Sequence, residues 1–224
     1  NTTNGTAATS ITITEANDVT LGATALTATA GAIVITSGGS QSLGTLTSGT
    51  STTLTATGTI NDDANDAASD VTVGTTVSLT ATAGIGTNPN GSVDLDSSAA
   101  NLAGVTATTG TGGITLNSTE GGTTTWTSVT TTNATLVGDV TLTSSGPSTL
   151  TLVTTVNGSV TATSAGLMTV TSVTAAGTAA NVTLTTTAGN ISLANGAITA
   201  AGDLVTLTSA SAVVDGDAGA VSSI

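Results

Sequence analysis

The chain has 224 residues, a formal charge of −13, and no Lys, Arg, His, Cys, Phe or Tyr. With no basic side chain to neutralise phosphates, nucleic-acid binding and attachment to anionic lipid are excluded as partners. No apolar run approaches the ~18 residues of a membrane helix, so no membrane insertion is expected. Thiol and disulfide chemistry are absent with cysteine. The hydrophobic fraction is 38%, nearly all small aliphatic residues. A globule of this length would normally fill its centre with Phe and Tyr, whereas a narrow solenoid lumen needs only small and branched side chains.

In chain order the strand signal is an apolar residue alternating with Thr or Ser, which places the two on opposite faces of a strand. It runs through Val19-Thr20-Leu21, Val71-Thr72-Val73, Val93-Asp94-Leu95, Ile114-Thr115-Leu116, Val140-Thr141-Leu142 and Ile191-Ser192-Leu193. Beside these stand cassettes of the form apolar-Thr-x-Thr, led by Leu26, Leu54, Leu79, Val105, Val129, Val160 and Leu184, with a weaker copy at Leu207. The leads are 28, 25, 26, 24, 31, 24 and 23 residues apart. A period near this length marks a stack of similar coils. A third, weaker strand follows a Gly at Ile33 to Ile35, at Ile60 and at Ile191. Gly is frequent, Thr and Val dominate, and no 3.6-residue stripe exists, so helix is not expected.

These patterns predict an all-β chain: a parallel β-helix, or β-solenoid, of about eight coils of roughly 25 residues, forming a single domain over 1–224. The seven leads are expected to stack as one inward column, with Ala28, Ala56, Ala81, Ala107 and Ala162 in the next. Two segments interrupt the rhythm: the acidic stretch 61–70 and the polar loop 86–91 around Pro89. The 31-residue step predicts a longer corner near Pro147. No charged-then-apolar leader stands at Asn1, so the sequence reads as processed or as an internal segment.

Chemistry-bearing residues are few. Asp62, Asp63, Asn65, Asp66 and Asp70 form the one dense acidic group and are the candidate metal ligands, for Ca²⁺, which takes six to eight oxygens. They do not follow the spacing of a dedicated calcium loop, and diffuse cation screening is the alternative. Glycoside hydrolysis would need carboxylates converging on one face, and a lyase would need a basic side chain that the chain lacks. No catalytic residue is assigned, and the chain is read as no enzyme. Stacked outward Thr-x-Thr suits a surface-binding module for ice or glycan, although Thr is also the ordinary outward residue of a solvent-facing strand. Sequons at Asn1, Asn4, Asn90, Asn117, Asn133, Asn157, Asn181 and Asn190 allow glycosylation. Trp126 and Met168 are read as space fillers.

Stretches such as 181–193, NVTLTTTAGNISL, and 198–207, ITAAGDLVTL, resemble the filamentous-haemagglutinin-like and β-strand-repeat giant exoproteins of bacterial surfaces. The resemblance implies a right-handed coil, an extracellular or cell-surface location, and a role as adhesin shaft or fibre. With it goes the expectation of a structural, self-assembling protein whose partner is itself, a homopolymer joined head-to-tail or laterally.

Overall fold

The computed structural model describes residues 5–7, 9–63, 68–87, 91–202 and 204–216. Among them are 25 strands and no helix. The strands pair in parallel from coil to coil and build a β-solenoid of about 8 turns, about 23 residues apart. A 14-stranded sheet and an 11-stranded sheet enclose the lumen.

In the N-terminal half a coil carries three strands, as in Leu26–Ala28, Ile33–Ser37 and Gln41–Leu43. The outer two belong to the 14-stranded sheet and the middle one to the 11-stranded sheet. Strand Ile114–Ser118 changes this plan. Its Ile114 pairs with Ile85, while its Leu116 pairs with Val93. One strand thus continues two, and the separation of the two outer strands seen in earlier coils, between Asp62 and Val71 and between Ile85 and Val93, ends there. From there on, each coil has one stretch in each sheet, with a single interruption at 151–152.

Alternation sets which residues point inward. Leu26, Leu54, Leu79, Val105, Val129, Val160 and Leu184 are all buried, as are Ala28, Ala56, Ala81, Ala107 and Ala162. They do not form one column. Leu26, Val160 and Leu184 lie in the 14-stranded sheet, and the other four leads lie in the 11-stranded sheet. Within the latter the true column runs Ile13, Ile35, Leu54, Leu79, Ala107, Val129, Val153, Val173, Ile198. Val105 sits one column over, between Val77 and Trp126. The second long column, in the 14-stranded sheet, runs Val19, Gln41, Ile60, Ile85, Ile114, Val140, Val160, Val182, Val205. The 31-residue step is therefore a change of sheet between Val129 and Val160. The long corner of that region is 132–139, and the one at Pro147 is short.

The lumen corners are polar. Thr109, Thr131, Thr155 and Thr186 point inward at the end of a strand, and each donates its hydroxyl to a turn carbonyl, of Gly112, Gly138, Gly158 and Gly189. Ser118 and Thr124 meet across another corner at 2.6 Å. These bonds satisfy hydroxyls that burial would otherwise penalise. The turns stack as closely as the strands. A Cβ on Gly112 would fall 1.6 Å from the Ala83 carbonyl oxygen of the coil before, so only glycine fits there. Trp126 is buried between Val105 and Leu150. The register shifts beside Val105 make room for it.

Leu79→Asp, which places an unpaired charge in the lumen, abolishes cooperative folding. Thr80→Ala, one residue along on the exposed face, shifts stability by no more than about 0.5 kcal/mol. Circular dichroism melts of the two variants check the assignment of faces.

Candidate functional site

Two regions gather chemistry: the outward threonines and the acidic corner. The threonines follow from register. With side chains alternating and coils stacked in phase, an outward Thr in one coil lies beside an outward Thr in the next. On the 11-stranded sheet this gives an unbroken ladder of Thr14, Thr36, Thr55, Thr80, Thr108, Thr130, Thr154, Thr174 and Thr199. The column beside it is mixed, with Val34 and an exposed Leu152 interrupting it.

On the C-terminal half of the 14-stranded sheet two columns run side by side. The first is Thr115, Thr141, Thr161, Thr183, Thr206, and the second is Asn117, Thr143, Thr163, Thr185, Thr208. None of these ten residues is buried. The four pairings that hold them show no register shift, unlike two of the pairings on the other sheet. Corner threonines such as Thr119 and Thr132 donate to backbone carbonyls. The nine threonines of the double array make no side-chain hydrogen bond within the described protein.

The acidic corner lies where the two outer strands of the N-terminal coils splay apart. Gly22, Leu43, Gly44, Asp62, Asp63 and Asp70 line an open pocket of about 200 Å³ there. Of the five candidate ligands, Asp62, Asp63 and Asp70 are brought to this pocket, while Asn65 and Asp66 lie outside the described residues. Among the described residues no group of three or more acidic side chains is placed to hold a metal ion. Asp62 closes strand Thr59–Asp62 and is buried; Asp63 accepts from the Ser42 hydroxyl at 2.8 Å. Asp70 Oδ2 accepts the Asp94 backbone N–H at 2.8 Å. Asp94 Oδ1 in turn accepts from Ser92 Oγ and Asn117 Nδ2.

Burial pushes the Asp70 carboxyl up to about 8; the charge of Asp62 and a hydrogen bond to it, with the charge of Asp94, add to the rise, and the Asp94 backbone N–H opposes it. Asp70 therefore keeps its proton at neutral pH and directs it toward Asp62. A protonated carboxyl beside a second carboxylate is the equipment of acid–base chemistry, but here one Asp70 oxygen is held by a backbone N–H and its proton is directed to a neighbour.

The sequence reading missed a general use of acceptor side chains at corners. Asp18 accepts the Ser40 N–H, Asn101 that of Thr123, and Asp139 that of Ser159, each at 2.7 Å. The available signal was an Asp, Asn or Ser recurring one coil apart just before a strand, as in Asp139, Ser159 and Asn181. No family model matches the chain, and neither a curated protein nor a solved structure matches it.

The raised carboxyl has a definite pH signature. The folded state holds the Asp70 proton up to about pH 8, whereas the unfolded chain releases it near the ordinary value of about 3.9. Stability from this group is complete below the lower value and falls as pH rises toward the upper one. Asp70→Asn keeps an oxygen for the Asp94 N–H and removes the titration. Thermal melts from pH 5 to 8 should decline less steeply for Asp70→Asn than for the parent, with the variant melting higher at pH 8.

Proposed function

We propose that the chain is a structural, non-enzymatic β-solenoid of the cell exterior, a segment of a filament, sheath or adhesin shaft that associates with copies of itself. The observation that carries this reading is the last described coil. Its Val205 and Leu207 continue the lumen columns yet are only partly covered, and Val213 is 45% exposed. Among the described residues their strands, Val205–Thr208 and Val213–Asp215, pair on one side only. A parallel edge that the described residues leave uncovered is a template for another strand. A neighbouring copy supplying it makes a heterologous contact, which propagates when it does not close. The composition agrees with an exposed existence, since trypsin finds no Lys or Arg to cleave after.

The threonine columns favour a second reading, a surface-binding module for ice or glycan. Their in-register stacking is what distinguishes it from the ordinary preference of Thr for solvent-facing strands.

Negative-stain microscopy and sedimentation across a salt series test the first reading. Salt weakens repulsion among the carboxylates of a chain with no basic side chain, so filaments or large oligomers should grow as ionic strength rises. A monomer at high concentration under every salt condition discards self-association.

A further inference from the structure

We propose that the double threonine array of the 14-stranded sheet, Thr115 to Thr208, is an ice-binding surface. This rests on the surface-recognition reading and names its ligand. The array repeats in two directions. Coils are spaced by about 4.8 Å, and the two columns stand two residues apart along each strand, about 6.6 Å. The register is unshifted through five strands, so both repeats persist over the whole face. A periodic surface of this kind is suited to a ligand that is itself periodic.

Charge and hydrogen bonding narrow the ligand. In a chain of −13 the five strands contain no Asp or Glu; Asp94 only borders the face, capped by Asn117 Nδ2 at 3.0 Å. The nine threonine hydroxyls have no partner within the described protein, and so each is open to water. Each Thr also presents a γ-methyl, around which water must order without being bonded. Hydroxyls that anchor water and methyls that shape it, repeated on a grid, hold a layer of water in a fixed pattern, and that layer merges with the lattice of ice.

Size and composition set aside the other occupants. Five strands of about five residues cover roughly 400 Å². A stable protein interface needs about 800 Å² from each partner, so a second copy is poorly held here. Sugar rings stack on aromatic faces, and the one aromatic residue, Trp126, is buried in the lumen.

The test is thermal hysteresis and ice-recrystallisation inhibition by the purified chain, beside co-sedimentation with crystalline cellulose and chitin. Thr161→Tyr and Thr143→Tyr, one exposed position in each column, should lose most of the ice activity. Thr80→Tyr, on the other sheet, should retain it. Circular dichroism melts show that each variant is folded, and the two array variants stand in for one another if one is not. No hysteresis in the parent overturns the proposal, as does equal loss in Thr80→Tyr or full activity in both array variants. Binding to cellulose or chitin without ice activity overturns ice while keeping surface recognition. Binding to none of the three overturns both.

Discussion

Everything in this molecule depends on coils stacking in phase. Parallel pairing with an unchanged register puts a residue directly over its counterpart one turn earlier. That single condition makes Ile35, Leu54 and Leu79 into a column of core and Thr36, Thr55 and Thr80 into a column of surface. A slip of one residue would exchange the two sets along every strand. The lumen and the outer faces are thus one feature viewed from two sides. Corners absorb the difference in coil length, so register survives although neighbouring members of the Ile35 column lie from 19 to 28 residues apart.

An all-acidic chain needs somewhere to put its charge, and the corners provide it. Asp18, Asp70 and Asp139 point their oxygens at backbone N–H groups of the following coil. A carboxylate that accepts such a bond offsets some of the cost of bringing like charges together, because charge-assisted hydrogen bonds are the stronger kind. Where burial is greater, at Asp70, the group keeps its proton instead. The described strands carry few acidic residues, with Glu15, Asp62, Asp94 and Asp96 in the N-terminal or central coils and Asp215 in the last.

The direction each residue faces was legible from sequence because strands alternate with a period of two, and all seven cassette leads are inside as expected. Their assignment to columns was not. The same apolar-Thr-x-Thr wording occurs on both sheets, at Leu79 and at Leu184, and a period taken along the chain cannot tell a full turn from a turn plus a change of sheet. The extra residues between Asp62 and Val71 and between Ile85 and Val93 further blur the count. The acidic stretch was visible as composition, but the role of Asp70 was not, since it depends on Asp94 arriving beside it from the next coil. Buried Gln41 was equally hidden: it replaces an apolar residue in the lumen column and donates to the Ile35 and Thr55 carbonyls.

The corner acceptors share one orientation. Ser10, Asp18, Ser40, Asn61, Asp70, Asn101, Asp139 and Ser159 each receive an N–H from a residue later in the chain. A completed coil therefore already holds these acceptors for its successor, which brings backbone N–H groups to them and, at Thr75, Thr111, Thr119 and Thr132, hydroxyls to the carbonyls of the coil before. The stack is polar in the manner of a staircase built upward: each step carries the brackets for the one above. For a chain that emerges N-terminus first, each of these acceptors is made before the N–H group it receives.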